Sequence, residues 1–266
     1  MQISAVIITF NEENNIAAAI RSVDWADEVL IVDSESTDRT CEIARSLGAR
    51  VISRPWPGFS VQKQFGADSA KFDWVFSIDA DERVSPELAA SIGRLPQKKE
   101  IGDGYEVSRL PFYMGRPIMH SGWYPDRHIR LFDRRRGSWS KAIVHESVVM
   151  APGSDVGVLN GELHHFSVNS AAEHVRMIGE RYAPLGAQQM FESGRRSSPL
   201  KASVTGLATF FKIYLLKLGF LDGFPGFCIA WFGSHHAFLK HLLLIELQTC
   251  ADSRPTLADA DNQPLP

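Results

Sequence analysis

Ile3-Ser4-Ala5-Val6-Ile7-Ile8-Thr9 decides the fold, because it is a run of small and β-branched residues with almost no polar interruption. Two similar runs follow, Glu28–Val32 and Trp74–Ile78, and helix-like stretches separate the three. Short apolar runs that alternate with helices predict a parallel sheet of βαβ units. We therefore expect an α/β fold with a Rossmann-like first half.

The predicted helices occupy the segments between these strands. Asn14–Val23 carries apolar residues on one face, which predicts the first helix. A second helix is expected to begin near Ser36 or Thr37 and to end at Leu47, where Gly48 provides a C-terminal stop.

Later segments predict other structure. Arg50–Ser53 predicts a further strand, and Ser85 followed by Pro86 predicts a helix start. The region 102–149 has short alternating runs with turns, which favours an antiparallel extension of the sheet. From about Ala171 the chain is expected to be helical.

The length of 266 residues is sufficient for one α/β core with an appended segment. We expect a catalytic domain at 1–170, with a nucleotide-binding half at 1–100 and an acceptor-binding half at 101–170. A helical segment is expected at 171–250 and a disordered tail at 251–266.

Charge and cysteine content restrict the class of protein. Residues 1–100 carry 16 acidic and 11 basic side chains, whereas 107–146 carries 8 basic and 3 acidic ones. This order predicts a cation site followed by an anion-binding stretch. Cys41, Cys228 and Cys250 are too few and too scattered for a disulfide framework, which favours a cytoplasmic protein. The N-terminus lacks the pattern of a signal peptide.

Two carboxylates, Asp79 and Asp81, directly follow the third apolar run. They are expected at the carboxyl edge of the parallel sheet, where open α/β folds bind ligands. Oxygen ligands of this type hold Mg²⁺ or Mn²⁺ together with a substrate phosphate. The alternative is an Asp-rich turn that only caps the next helix.

Polar residues also follow the first two strands. Asp33 is a candidate acceptor for a base imide N–H, and a carboxylate near Asn11–Glu12 could reach ribose hydroxyls. Alternatively, Asn11 and Ser36 would act as helix caps.

The strings ITFNEE at 8–13, VDSESTD at 32–38 and FSIDADE at 76–82 resemble, in this order and spacing, the inverting family-two glycosyltransferases of GT-A fold. The resemblance covers about 1–170. WYPDRHIRLF at 123–132 and VHE at 144–146 are similar to a bacterial lipopolysaccharide-core β-glucosyltransferase subgroup, whose acceptor is an inner-core heptose.

This resemblance implies a GT-A mixed sheet flanked by helices, a UDP-sugar donor and a divalent metal. It implies that Asp33 contacts uracil, that Asp79 serves the ribose or diphosphate, and that Asp81 binds the metal. Thr9, Asn11 and Glu12 would line the nucleoside pocket. Lys63 matches a basic residue near the diphosphate or donor sugar, and Gln64 replaces the asparagine that follows it in the family.

An inverting transfer needs a base that deprotonates the acceptor hydroxyl. Glu146 is the candidate, because related enzymes carry an acidic residue at a similar place, and Asp126 is the second candidate. The alternative for Glu146 is a surface ion pair with a nearby arginine. His165, or less favourably His164, is expected to complete the metal shell, although histidine pairs are more often structural.

The region after residue 126 is rich in arginine. Arg127 and Arg130 lie among aromatic residues and are the candidates for phosphate binding. For Arg134–Arg136, a solvent-exposed face is at least as good an explanation as phosphate binding. Nucleic-acid binding is not favoured, because the chain has no recognisable motif for it.

Leu207–Leu247 is rich in aromatic and aliphatic residues with interspersed lysines, which resembles an interfacial amphipathic segment. Lys212, Lys217 and Asp222 interrupt it, so no spanning helix is predicted. An interfacial segment would bring the enzyme to a lipid-linked saccharide at the inner face of a membrane. The alternative is a helical hairpin packed on the catalytic core or on a second subunit.

We therefore expect a glycosyltransferase that moves a hexose, glucose in the subgroup, from a UDP-sugar to a lipid-linked acceptor. Another donor sugar or envelope-glycan acceptor is an alternative. A nucleotidyltransferase is disfavoured, because no glycine or lysine follows the first strand to hold a triphosphate. A non-catalytic binding module is disfavoured by the retained carboxylates.

Overall fold

A computed structural model describes residues 1–97, 101–140, 146–168 and 170–252 of the chain. These residues form two compact units. The first comprises Met1–Phe112 and Trp123–Ser167, and the second comprises Tyr113–Gly122 and the chain from Val168 onward. Most of the tail predicted at 251–266 lies outside the described residues.

A mixed sheet forms the centre of the first unit. Its strands are β1 (Ile3–Thr9), β2 (Glu28–Asp33), β3 (Arg50–Ser53), β4 (Trp74–Asp79), β5 (Glu82–Val84), β6 (Gly104–Tyr113), β8 (Asp126–Asp133) and β11 (Val156–Val168), and the order is β3-β2-β1-β4-β8-β6-β11-β5. The short strand β7 (Arg116–Pro117) lies in the second unit. A separate two-stranded sheet pairs β9 (Gly137–Trp139) with β10 (Val148–Met150).

The four N-terminal strands of the sheet are parallel, as predicted. Strand β1 lies between β2 and β4, and all seven of its residues are buried. Its two faces contribute to different core clusters, since Ile7 packs on one side of the sheet and Val6 on the other. A strand covered on both faces needs a continuous apolar run, which explains the sequence of β1.

Four helices flank this sheet: α1 (Ile16–Ser22), α2 (Thr40–Ser46), α3 (Phe59–Ser69) and α4 (Pro86–Gly93). The predicted cap of α4 is confirmed, because Ser85 Oγ accepts a hydrogen bond from Leu88 N at 3.2 Å. Helix α2 begins at Thr40, later than predicted, because residues 34–39 form a loop instead.

The antiparallel extension predicted after residue 102 is confirmed. Strand β8 pairs antiparallel with β4 on one side and with β6 on the other. Strand β5, which follows the Asp79-Ala80-Asp81 turn, pairs antiparallel with β11 and brings His165 into register with Glu82. Distant parts of the chain therefore meet beside the acidic turn.

The second unit is helical from Ala171, as predicted. It contains α5 (Ala171–Met177), α6 (Ala183–Glu192), α7 (Pro199–Phe211) and α8 (Gly223–Asp252), with π-helical turns at Ile178–Tyr182 and Lys212–Leu216 and a 3₁₀ turn at Gly219–Asp222. The segment Tyr113–Gly122 belongs to this unit, since the Asp222 carboxylate accepts hydrogen bonds from His120 N at 3.1 Å and Ser121 Oγ at 2.8 Å.

No single described helix is long and apolar enough to cross a bilayer. Pro199–Leu216 and Gly219–Cys250 reach the required length and composition only as a pair, and the chain bends by 70° between them.

Gly66 allows α3 to lie close to the sheet. A Cβ atom at Gly66 would lie 2.5 Å from Val6 Cγ1. We expect Gly66→Ala to lower the free energy of unfolding by about 1–3 kcal/mol, the usual cost of overpacking a core. Urea denaturation measures this change. Gly93→Ala is the matched control, because no atom lies within 4 Å of its added Cβ. An unchanged stability for Gly66→Ala would contradict the close packing.

Candidate active site

The loops that follow β1 and β2 interlock through hydrogen bonds. Asn11 N donates to Ser36 Oγ at 2.8 Å, and Thr37 N donates to Asn11 Oδ1 at 2.8 Å. Asn11 and Glu35 both have positive φ angles, 53° and 63°. Neither Asn11 nor Ser36 is the residue that precedes a helix, so the capping alternative is wrong for both.

Asp33 lies beneath this loop and is fully buried. Its carboxylate accepts hydrogen bonds from Ser36 N at 3.0 Å, Ser36 Oγ at 2.5 Å and Ser53 Oγ at 2.7 Å. Burial by itself raises the pKa of Asp33. The hydrogen bonds outweigh this effect, so the pKa lies below its ordinary value. Asp33 was predicted to contact the uracil base, but its carboxylate is not exposed. It instead holds the loop that contains Ser36.

The other predicted nucleoside-binding residues lie at the same edge of the sheet. Thr9 is the register partner of Asp33, and its buried hydroxyl oxygen has no hydrogen-bond partner among the described residues. Glu12 Oε2 accepts a hydrogen bond from Asn15 Nδ2 at 2.8 Å, while Glu12 N donates to Thr40 Oγ1 at 2.8 Å. Thr9, Asn11 and Glu12 therefore border one stretch of the strand edge.

Lys63 joins two predicted site residues that are far apart in sequence. Its Nζ lies 3.0 Å from Asp79 Oδ1 and 3.2 Å from Glu146 Oε1. The ammonium group is almost fully buried and also lies 4.9 Å from the centre of the Trp139 ring. The structure thus brings together the acidic strand end, the predicted basic residue and the predicted base.

A second cation supports this acidic turn from inside the protein. Arg130 is buried, and its Nη2 donates to Glu82 Oε1 at 2.7 Å while its Nη1 lies 3.9 Å from Asp79 Oδ2. The other oxygen of Glu82 accepts a hydrogen bond from Asp79 N at 2.9 Å. Arg130 was predicted to bind phosphate, but the structure encloses its guanidinium group beside Glu82.

Charge determines the protonation of this cluster. Burial alone raises the pKa of Asp79, but the ammonium group of Lys63 and the guanidinium group of Arg130 outweigh burial and hold the pKa below its ordinary value. Burial raises the pKa of Glu82 against the opposing charge of Arg130, and the negative charge of Asp79 adds to the rise. Asp79 is therefore the more firmly ionised of the two.

Asp81 lies beside one histidine of the predicted pair. His165 Nε2 is 3.3 Å from Asp81 Oδ2, and both side chains are partly exposed. His164 has a different position, since its ring lies 5.0 Å from the ring of Phe112. Burial lowers the pKa of His164. Of the two histidines, His165 is the one that the structure brings to the acidic turn.

The geometry fits a divalent cation in one specific way. Within the described ranges, no three His, Cys, Asp or Glu side chains converge to form a complete metal site. Asp81 and His165 lie together as two candidate ligands, whereas Asp79 is engaged by Lys63. Mg²⁺ is often held by one or two carboxylates and substrate phosphates, so these residues fit a metal whose shell a diphosphate completes.

Asp126, the second candidate for the base, lies in an ionic cluster with Arg109 and His128, and Arg109 Nη1 also lies 3.8 Å from Glu82 Oε1. The carboxylate of Asp126 accepts from Arg109 Nη2 at 2.6 Å and lies 2.8 Å from His128 Nε2. Burial raises the pKa of Asp126, but the hydrogen bond to His128 and the charge of Arg109 hold it well below its ordinary value. Such a carboxylate is a weak proton acceptor, which favours Glu146 as the base.

The remaining arginines have structural partners. Arg127 is exposed, and its side chain donates to Ser108 Oγ at 3.4 Å, so the described residues do not bring it to the Asp79 turn. Arg134 Nη1 donates to Ala70 O at 2.8 Å at the C-terminal end of α3, and Arg135 pairs with Asp133 at 2.6 Å.

Sequence reasoning missed the supporting residues. Glu82 was quoted only as part of a motif, yet it is completely buried and links Arg130 to the backbone of Asp79. Gln64 Oε1 accepts from Trp139 N at 2.8 Å and so connects α3 to β9. The only sequence signal for Glu82 is its place directly after the Asp79-Ala80-Asp81 turn, at the first residue of the short strand Glu82–Val84.

Comparison with known proteins identifies the family. A model described as glycosyl transferase family 2 matches residues 4–147, a range that contains the ends of β1, β2 and β4. The chain belongs to this family. A lipopolysaccharide core biosynthesis glycosyltransferase, LpsC, of Rhizobium meliloti is 31% identical over 267 residues, covering 98% of this chain and 97% of the relative.

Another relative is an uncharacterized glycosyltransferase of Rickettsia bellii, 34% identical over 258 residues, with 92% of this chain and 87% of the relative covered. A solved glucosyl-3-phosphoglycerate synthase from Mycobacterium tuberculosis, in complex with Mn²⁺, UDP and glucosyl-3-phosphoglycerate, is 32% identical. That match covers 43% of this chain and 44% of the other, with a TM-score of 0.34.

The family-2 assignment agrees with the fold. The mixed sheet flanked by helices is the GT-A architecture that the sequence motifs predicted. The chain is therefore a glycosyltransferase with a helical C-terminal region.

Acid sensitivity tests the Asp126 cluster. Because the native pKa of Asp126 is lowered, its ionised form stabilises the family-2 domain above the unfolded pKa of about 3.9, and this contribution is lost as the pH falls below that value. We expect Asp126→Asn to lower the melting temperature at pH 7 and to reduce its further fall towards pH 3. Melting curves of Asp24→Asn, at an exposed position, provide the control.

Proposed function

We propose that this family-2 enzyme is an inverting hexosyltransferase that moves glucose from a UDP-sugar to a lipid-linked saccharide, the inner-core heptose of lipopolysaccharide. The observation that carries the proposal is the Lys63 ammonium group, which lies between Asp79 and Glu146. This arrangement puts a donor-side carboxylate and a candidate base within reach of one reaction centre.

The nucleoside is proposed to bind at the ends of β1 and β2. The unpartnered hydroxyl of Thr9 supports this, because a buried polar atom without a hydrogen bond is costly unless a ligand or water satisfies it. Asn11 and Glu12 border the same edge. In this proposal Asp33 fixes the conformation of the loop that contains Ser36. It affects uracil binding only through that loop.

The diphosphate is proposed to bind near Asp81 and His165. Mg²⁺ or Mn²⁺, when bound by these residues, would neutralise the charge that develops on the leaving diphosphate. Lys63 is close enough to Asp79 to contribute a second positive charge on the donor side. Arg130 would support the site indirectly, because its guanidinium group pairs with Glu82 inside the protein.

Glu146 is proposed to act as the base. Its carboxylate would accept the proton of the acceptor hydroxyl while that oxygen attacks the anomeric carbon and the bond to the diphosphate breaks. In the structure it pairs with the ammonium group of Lys63, which fixes its position beside the donor-side carboxylate. A direct displacement of this kind inverts the configuration at the anomeric carbon.

The acceptor assignment follows from the relatives and the motifs. The Rhizobium meliloti relative, which aligns along almost the whole chain, is described as a lipopolysaccharide core biosynthesis glycosyltransferase. Glucose and heptose come from the similarity of residues 123–132 to the β-glucosyltransferase subgroup. A lipid-linked acceptor of this type would require the enzyme to work at the cytoplasmic face of a membrane.

The proposed metal site is tested with Asp81→Ala. We expect the wild-type protein to release UDP from a UDP-sugar in the presence of Mn²⁺ or Mg²⁺, with UDP-glucose preferred. The variant should lose this release by about 100-fold or more, because it lacks a direct ligand for the metal. Asp24→Ala, at an exposed position, should keep full activity. Unchanged UDP release by Asp81→Ala would exclude the assigned metal site.

The proposed base is tested with Glu146→Gln, which keeps the shape of the side chain but removes its basicity. Transfer should fall by about 100-fold to 10,000-fold, the usual contribution of a general base. UDP-sugar affinity, measured by calorimetry, should change little. Glu87→Gln, at an exposed position, is the control. Normal transfer by Glu146→Gln would move the base assignment to Asp126.

A further inference from the structure

Helix α7 exposes a stripe of apolar side chains. Leu200, Val204, Leu207 and Phe211 are spaced by four, three and four residues, so they lie on one face of the helix. All four are exposed, and Leu200 is 75% exposed. The π-helical turn that follows ends with Leu216, which is 79% exposed. Monomeric soluble proteins rarely expose a continuous apolar stripe of this kind.

An aromatic cluster continues this stripe onto α8. The ring of Phe210 lies 5.7 Å from that of Phe211 and 6.4 Å from that of Trp231. The rings of Trp231 and Phe227 are 6.3 Å apart, as are those of Phe227 and Phe224. Phe224 and Trp231 are 66% and 60% exposed. We call the stripe on α7, Leu216 and these aromatic residues the apolar face.

The charges around the apolar face are of one sign. Between residues 199 and 245 the single acidic residue is Asp222. Its carboxylate is buried and accepts hydrogen bonds from His120 N and Ser121 Oγ. Lys212 and Lys217 are exposed, and the ammonium group of neither has a hydrogen-bond or ion-pair partner among the described residues. Lys212 follows Phe211 by one residue, or about 100° around a helix, so it borders the stripe.

We propose that the apolar face binds directly to the surface of a bilayer that contains anionic phospholipid. Exposed aliphatic and aromatic side chains would enter the boundary between headgroups and acyl chains, and the bordering lysines would contact the anionic headgroups. Trp231 suits this boundary, because an indole ring combines a large apolar surface with one polar N–H group. This inference rests on the proposed function, since a lipid-linked acceptor is presented at such a surface.

Two properties favour a bilayer over a second copy of the chain. A self-complementary interface would bring the lysines of both copies together without acidic partners, which is unfavourable. An anionic membrane compensates these charges and accepts an apolar surface of irregular shape. Each lysine near an anionic bilayer contributes about 1 kcal/mol, which corresponds to about fivefold in binding.

Vesicle binding of the full chain tests the proposal. We expect the wild-type protein to sediment with vesicles of phosphatidylethanolamine and phosphatidylglycerol and to bind those of phosphatidylcholine about tenfold or more weakly. Leu207→Ser combined with Phe211→Ser should lower binding to the anionic vesicles by about tenfold or more. Lys212→Gln combined with Lys217→Gln should lower it by about 25-fold at low salt.

Matched controls separate the apolar face from general hydrophobicity. Val156→Ser combined with Val158→Ser removes two exposed aliphatic side chains from the first unit and should leave vesicle binding unchanged. Phospholipids with brominated acyl chains should quench tryptophan fluorescence in the wild-type protein. Trp231→Phe should remove most of this quenching while vesicle binding remains.

Three results would overturn the proposal: no binding to anionic vesicles, equal binding by the wild-type and Leu207→Ser/Phe211→Ser proteins, or a stable dimer that this double variant dissociates. The last result would assign the apolar face to a second copy. Metal-dependent UDP release in solution is measured in parallel. Loss of vesicle binding with intact UDP release would contradict only the membrane proposal, whereas vesicle binding without UDP release would contradict only the proposed function.

Discussion

The ammonium group of Lys63 is the constraint on which the active-site geometry depends. It compensates the negative charges of Asp79 and Glu146, which lie at 3.0 Å and 3.2 Å from it and would otherwise repel each other. Lys63 lies on α3, which packs closely against the sheet. Gly66 lies three residues after Lys63, on the same face of α3, and packs against Val6. The helix packing that Gly66 allows therefore also sets the position of the Lys63 charge.

The two cations of the site, Lys63 and Arg130, have different positions and partners. Lys63 lies among the candidate ligand-binding and catalytic residues, whereas Arg130 lies behind them and pairs with the fully buried Glu82. Glu82 in turn accepts a hydrogen bond from Asp79 N and so fixes the backbone of the acidic turn. A buried carboxylate between an arginine and a backbone amide is costly to disturb, because removing either partner leaves an uncompensated polar group.

The two halves of the sheet contribute in different ways. The parallel half supplies the ends of β1, β2 and β4, which meet at one edge because parallel strands run in the same direction. In the antiparallel half, β11 pairs with β5. This pairing brings His165 to Asp81. The candidate metal ligands Asp81 and His165 therefore meet only because both halves of the sheet contribute.

The sequence by itself determined the four parallel strands, the order of the polar strand ends, the cap at Ser85 and the family, because these depend on local patterns of apolar and polar residues. Only the tertiary structure decided which predicted residues meet. It joined Lys63 to Glu146, enclosed Asp33 and Arg130, and left Arg127 exposed. These outcomes depend on burial and on contacts between residues far apart in the chain, which no local pattern encodes.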